Sequence, residues 1–553
     1  MTDSLSMTDS PGRLRGLLPF YRTGEEVIVE RLPEGTRRVV ARRANGDEAD
    51  ATVRQGARFG GLLGGTYSVE ALGADGGVLA EELTTVGSHP GERPVHGFAT
   101  SFDDESIAGT LRWLAALRCT VVQIYDWMAS YSAPLGPTSG WKDPSERDVS
   151  YDALRSLAAG IRAGGGVAHA YAPVYAVDPP FAAEHPELLM YRGDGRPEKL
   201  FENIFLADPA NRAWQRHFVA TYGAAADSIG FNGFHLDTYG FPRAARNSQG
   251  EQLEMRSAYE TFLGFVRAGR PPDQLSFNQV NGVPSAISLP DGPGFRYCEI
   301  WPPNDLWRHF EGLFDRSSGT AGRLGQPSGS PVMRGTIACY PPVWDKGAPR
   351  EDCLRTVVLT GAVATCLGAG ALLYGDVYGA LCDPYYPKHE RLAPAEVAAA
   401  LEWHRFGLRC RDLFLSGEDT SWYEIGDENG AVAVGWGGPV SPEPVGGAVF
   451  ARVVRDAGYI AVSVVDLSGS PNGSWQEATP PGRCRSALVK VLLDDPGGWD
   501  AAAAVLGQGR GRFARVASRT VEHREGLALE VALPVVSGWS VLRLTRRDGR
   551  TAI

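Results

Sequence analysis

The feature that most constrains this chain is a rhythm that changes twice. Between about residues 95 and 415, short β-type runs alternate with longer helical stretches, and on either side only β-type runs occur. The strand candidates are HGFATSF (96–102), CTVVQIYD (119–126), GVAHAYAP (166–173), GFHLDT (233–238), LSFNQV (275–280), RYCEIW (296–301), VMRGTIACY (332–340) and GALLYGD (370–376). Helical stretches fall between them, for example at 150–164, 209–228, 254–268, 304–315, 351–366 and 394–410. Eight alternations over roughly 320 residues predict a central (β/α)8 TIM barrel with long loops, ahead of a doubly wound sheet.

The flanks read differently. Runs such as EEVIVERL, TRRVVARR and TYSVEAL, separated by Gly, Pro, Asn and Asp turns, predict an immunoglobulin-like β-sandwich over residues 16–93. Residues 1–15 are expected to be a flexible N-terminus, and the barrel to span 94–415. From residue 416 to 553 the runs GAVAVGW, GAVFARVV, YIAVSVVDL, SALVKVLLD and WSVLRLTRR predict a C-terminal β-sandwich.

Charge and motif content remove several function classes. A net charge of −11 argues against binding nucleic acid or an anionic membrane through bulk charge. No charge-free run of about 20 apolar residues reads as a membrane span. The N-terminus is polar, without the apolar core of a secretory signal, so a cytoplasmic location is the expectation. The eight cysteines form no CxxC pair and no zinc spacing, and most lie in apolar runs, which predicts reduced buried thiols. GxSxG, GxxxxGK[ST] and HExxH are missing. A monomer without metal or organic cofactor is expected.

In a barrel, reacting groups sit at strand C-terminal ends, so polar residues there are candidates. Asp237 closes GFHLDT and shares a strand face with His235. The competing assignment for Asp237 is a cap on the next turn. Glu299 ends an apolar β run, and its competing assignment is a buried ion pair with a residue such as Arg334. Trp301, two residues on, suits a sugar platform or an apolar pocket that raises a carboxyl pKa. Two carboxyls on different strands are what glycoside hydrolysis needs, one ionised and one protonated. Asp126, Trp127, Tyr171, His235, Asn278, Asp305 and Asp376 are the candidate substrate-binding residues.

These residues lie in segments that resemble a known family. QIYDWM (123–128), WKDP (141–144), AHAYAPVYAV (168–177), GFNGFHLDTYG (230–240), SFNQVN (276–281), YCEIWP (297–302) and DPYYPKHE (383–390) are similar, in order, to glycoside hydrolase family 66. That family contains dextranases and cycloisomaltooligosaccharide glucanotransferases. The resemblance implies Asp237 as nucleophile, Glu299 as acid/base and Asp126 as a hold on the nonreducing-side glucose. It also implies an α-1,6-glucan or isomalto-oligosaccharide substrate, cleaved internally with retention. Cyclising members carry an extra module in the barrel, and no surplus of about 100 residues occurs here, so a dextranase is the first expectation. A glucanotransferase or other α-1,6 transglucosylase is the alternative, and a noncatalytic glycan-binding protein stands behind both. GDVYG follows the eighth strand candidate where the family is expected to have GE, which singles out Asp376 as a departure.

Overall fold

The computed structural model describes residues 14–269, 274–289, 292, 294–318, 333–344, 347–426 and 430–547. The chain is multidomain and rich in β-structure. Its centre is an eleven-stranded sheet with helices packed on its outer face. In chain order its strands are β1 (His96–Ala99), β2 (Val121–Ile124), β3 (Val167–Pro173), β4 (Gly233–Asp237), β5 (Gln274–Asn278), β6 (Gly294–Glu299), β7 (Thr336–Ala338), β8 (Gly370–Ala371), β9 (Tyr374–Gly375), β10 (Gly379–Ala380) and β11 (Glu390–Arg391). The spatial order is β8-β7-β6-β5-β4-β3-β2-β1-β9-β10-β11. From β8 through β1 to β9 every pairing is parallel. Only Leu372 and Leu373 separate β8 from β9, so one short segment bonds both ends of the parallel run and the sheet curls round on itself.

Helices return the chain between parallel strands. They are α1 (Asp104–Ala116), α2 (Tyr151–Ala163), α3 (Arg212–Ile229), α4 (Met255–Gly269), α5 (His309–Ser318) and α6 (Arg350–Cys366); α7 (Pro394–Cys410) follows β11. Their starts follow from local chemistry. The Asp103 carboxylate accepts from the N–H groups of Glu105 and Ser106 to open α1, and Asn211 opens α3 in the same way. Gly230, at φ 93°, closes α3 in the left-handed conformation that glycine adopts without strain. One expected alternation differs. Between β5 and β6 the described residues hold only a 3-10 turn at Val280–Gly282. The stretch GVPSAISLPDGPG is too rich in Gly and Pro to sustain a helix.

Strand alternation sorts the side chains. Ala170, Ala172, Phe234, Leu236 and Phe277 face the helices and pack with Leu157, Phe218 and Phe262. The opposite face fills the curled interior and carries the polar residues. Before the central sheet lie a five-stranded and a three-stranded sheet within residues 20–87, sharing a core that includes Val27, Val39, Phe59 and Val69. Of the expected flexible terminus, residues 1–13 fall outside the described residues. Leu14 is buried, and the Arg15 carbonyl accepts from the Glu30 N–H. Residues 418–546 form a seven-stranded and a five-stranded sheet around Val449, Val462, Val489 and Leu542. Arg409 and Arg411 at the end of α7 bond Glu81, Thr66 and Thr85, tying the N-terminal sheet to the centre. All eight cysteines are free, seven buried and Cys382 half-buried.

Candidate active site

Three adjacent strands deliver the two candidate carboxyls. Asp237 ends β4, Glu299 ends β6, and β5 between them ends in Asn278. The Asn278 amide joins the pair: its Nδ2 donates to Asp237 Oδ1 at 2.6 Å, and its Oδ1 accepts from the Glu299 N–H at 3.2 Å. On the other side, the β3–β4 register sets Tyr171 beside His235, one step below Asp237. The Tyr171 hydroxyl reaches up and donates to Asp237 Oδ2 at 2.8 Å. Each Asp237 oxygen thus takes one donor from a neighbouring strand, and the turn-capping assignment does not describe it.

Burial and mutual repulsion shape this pair. Asp237 is 5% exposed, and burial pushes its carboxyl up, the nearby Glu299 charge adding to the shift. Asn278 and Tyr171 pull the other way by favouring the ionised form. Burial also raises Glu299, opposed by Tyr340, Trp301 and Asn278. The Trp301 indole N–H donates to Glu299 Oε2 at 3.2 Å. The alternative ion pair is absent in this form, because Arg334 is engaged by Asp315 and Glu311.

Asp126 lies two residues past the end of β2 and stands near enough for its charge to raise Asp237. Its own carboxyl is pushed up to about 7 by burial, with Asp143 adding and Arg147 opposing. Arg147 was not singled out in the sequence, yet it organises this corner. It pairs with Asp143 at 2.6 Å and donates to the carbonyls of Thr100 and Asp126. Its guanidinium lies 5.7 Å from the centre of the Tyr385 ring. The neighbouring wall is tyrosine. Tyr125 stacks on Tyr386 with centroids 4.3 Å apart, and the Tyr386 hydroxyl bonds that of Tyr297 at 2.6 Å. The only sequence signal for Arg147, Tyr385 and Tyr386 was their place in or beside WKDP and DPYYPKHE.

Three proposed substrate-binding residues, Trp127, His235 and Asp376, are buried in the protein's own packing. Trp127 is fully buried against Tyr222 and Phe231, with its indole N–H on the Tyr171 carbonyl, so no ring face is open to a sugar. His235 is also fully buried, one layer below Asp237. Its Nδ1 and that of His169 lie 2.9 and 3.1 Å from one hydroxyl, Ser276 Oγ. Burial pushes His235 well below the usual imidazole range and His169 down to about 3, so both are neutral. The hydroxyl has one proton, so at least one of the two neutral rings carries its hydrogen on Nδ1 and donates to Ser276 Oγ. Asp305, also proposed, gives its backbone carbonyl to Trp475 N and Ser474 Oγ, a tie to the C-terminal sheets, while the residue stays half-buried.

Asp376 is 2% exposed and saturated by its own chain. Its carboxylate accepts from Thr100 N at 2.8 Å, Ser101 N at 3.3 Å and the Thr100 hydroxyl, and His389 lies 3.5 Å away. It therefore locks β9 to the end of β1. Asp376→Ala is expected to destabilise the chain by about 2–4 kcal/mol, because several buried donors lose their acceptor. A lower denaturant midpoint checks this. Weaker substrate binding at unchanged stability would return Asp376 to the substrate.

The sequence model of glycosyl hydrolase family 66 matches residues 57–542, nearly the whole chain. The chain belongs to glycosyl hydrolase family 66. Among curated relatives, a cycloisomaltooligosaccharide glucanotransferase of Niallia circulans is 24% identical over 282 residues, covering 45% of this chain and 29% of that protein. A second such enzyme of Niallia circulans is 23% identical over 279 residues, with the same coverage. The matched stretch thus spans under a third of these relatives' length. Among solved structures, a Paenibacillus sp. cycloisomaltooligosaccharide glucanotransferase complexed with cycloisomaltoheptaose superposes with a TM-score of 0.78 at 16% identity. That match covers 97% of this family 66 chain and 99% of the other, and it places the two in one fold.

Proposed function

We propose that this protein is a retaining, endo-acting glycoside hydrolase that cleaves α-1,6-glucosidic links in dextran or isomalto-oligosaccharides. The curled sheet is read as a (β/α)8 barrel, with a β-sandwich on each side and boundaries near residues 93 and 415. The observation that carries the chemistry is the pair of carboxyls, Asp237 and Glu299, at the ends of β4 and β6, with Asn278 of the intervening β5 bonded to the Asp237 carboxylate and to the Glu299 backbone N–H. Two repelling carboxyls in one buried site hold a single proton between them near neutral pH. Asp237, with donors at 2.6 and 2.8 Å on its two oxygens, is the ionised member, which leaves the proton on Glu299.

The reaction follows from that division. An Asp237 oxygen attacks the anomeric carbon as the bond from that carbon to O6 breaks, and Glu299 gives its proton to the departing O6. A covalent glucosyl-enzyme results. Water then gives a proton to Glu299 and bonds the anomeric carbon, and the bond to Asp237 breaks. Asp126, close to the pair and lifted toward neutrality, is suited to grip hydroxyls of the −1 sugar. Transfer to a sugar instead of water is the second reading, favoured by the glucanotransferases among the relatives.

A panel of α-1,6, α-1,4 and α-1,3 glucans tests the substrate. Release of linear oligosaccharides from the α-1,6 glucan alone is expected. Cleavage confined to α-1,4 or α-1,3 links would refute the assignment. Dominant cyclic or elongated products in the chromatogram would replace hydrolase by transferase.

A further inference from the structure

Glu299, half-buried at the end of β6, must carry a charge for part of the catalytic cycle, yet no cation counters it among the described residues. Its titratable neighbours are Asp237 on β4, Tyr125 just past β2, Tyr297 and Cys298 on its own strand, and Tyr340 and Tyr386. A carboxylate in such company depends on hydrogen-bond donors. The Trp301 indole N–H is one, at 3.2 Å. The Tyr340 hydroxyl is another: it bonds the Glu299 carboxyl and also meets the Tyr386 hydroxyl.

Tyr386 is brought there on purpose-built backbone. β10 pairs with β11 and closes off the loop 381–389, which returns to the mouth of the curled sheet and buries Tyr386 completely. The ring stacks on Tyr125 and lies 5.5 Å from Phe98 and 6.1 Å from Tyr340, centroid to centroid. The hydroxyl lies 2.6 Å from that of Tyr297, which is also fully buried. Tyr386 therefore offers no surface to a sugar, and its hydroxyl reaches the chemistry only through Tyr340. Proton counting gives the line a direction. An ionised Glu299 only accepts, so Tyr340 spends its one proton on the carboxylate and accepts from Tyr386, which in turn accepts from Tyr297. Three protons serve three acceptors, and each bond polarises the next.

We propose that Tyr386 and Tyr297 are positioning residues for the acid/base, acting through Tyr340: the line of three hydroxyls holds the Glu299 carboxyl and steadies its ionised form. This rests on the reading of Glu299 as acid/base given above. When Glu299 gives its proton to the departing O6, the line already points at the new carboxylate, and no proton leaves the tyrosines. When Glu299 takes a proton from water in the second half-reaction, the line stays as it was. The tyrosines thus make Glu299 a stronger acid in a place where no cation can.

The test is the pH profile of isomalto-oligosaccharide turnover in Tyr→Phe variants, which keep each ring and its packing and lose one hydroxyl. Removing a donor from the ionised form raises the pKa, so the basic limb should move up while the acidic limb, set by Asp237, stays. The shift should be about one pH unit in Tyr340→Phe, the scale of a hydrogen bond to a charged group. It should be about half a unit in Tyr386→Phe and smaller again in Tyr297→Phe, since the effect is relayed. In Tyr386→Phe kcat should fall a few-fold with KM within about twofold, because the residue meets no substrate. In a Glu299→Gln background Tyr386→Phe should cost nothing further. An unmoved or lowered basic limb in both Tyr386→Phe and Tyr297→Phe overturns the proposal. So does a kcat loss in Tyr386→Phe that recurs in full beside Glu299→Gln, which would make the tyrosine a packing residue. Thermal unfolding of each variant checks that the fold is kept. A basic limb that survives Glu299→Gln alone would instead sink the acid/base reading, and the hydroxyl line with it.

Discussion

Replacing Asp237 with Asn is expected to lower turnover of an α-1,6 glucan by about ten-thousand-fold or more while the chain stays folded. An amide cannot form the glucosyl ester, so the loss falls on the chemical step. The surroundings accept the change. The new amide oxygen keeps the Asn278 donor found at 2.6 Å, and its NH2 meets the Tyr171 hydroxyl, which turns from donor to acceptor. One weaker hydrogen bond is set against the removal of a buried charge, which burial already disfavours. Stability should therefore stay within about 1 kcal/mol of the wild type. Initial rates of reducing-end release, with thermal unfolding alongside, check both halves. Turnover within tenfold of the wild type would remove Asp237 as nucleophile and favour a noncatalytic glycan-binding protein.

The residues legible from the sequence were those decided by strand alternation. HLD and YCE place Asp237 and Glu299 on an inward face at strand ends, and the structure puts them there. Alternation does not give depth. His235 shares the face of Asp237, but two residues along a strand are about 6.6 Å, enough to sink it into the closed interior. Nor does alternation survive a strained turn. Asp126 has φ 49°, a left-handed conformation that redirects the chain, so Trp127 goes beneath the site instead of lining it. Contacts between distant segments were the least legible. Thr100 satisfies Asp376 across 276 positions, and Tyr386 stacks on Tyr125 from a loop beyond the last parallel strand. Asn278 was expected to meet substrate hydroxyls; alternation placed it at the strand end, but gave no sign that its amide bonds the Asp237 carboxylate and the Glu299 backbone N–H.

Changing Glu299 to Gln should separate the two carboxyls in the pH profile. On the proposed mechanism the singly protonated pair is the working form, so the rate is expected to rise as the first proton leaves and to fall as the last one leaves Glu299. Burial raises both groups, so both limbs should lie above the ordinary carboxylate range. The second ionisation also works against a charged Asp237, which moves the basic limb further up. In Glu299→Gln the basic limb should vanish, since no proton remains to be lost. The acidic limb should stay, because Asp237 then ionises beside a neutral amide, as it does beside a neutral Glu299. Turnover of unactivated glucan should fall by about a hundred- to ten-thousand-fold. A substrate with an acidic phenol as leaving group needs little protonation, so its first half-reaction should be largely spared, and a burst of phenol should precede slow turnover. The converse substitution fixes the sign. In Asp237→Asn the repelling charge is gone, so the Glu299 carboxyl, followed by NMR, should titrate lower than in the wild type. An upward move would mean that repulsion from Asp237 does not govern Glu299. A basic limb that persists in Glu299→Gln would assign the acid to another group, with Asp126, pushed up to about 7, the first to examine.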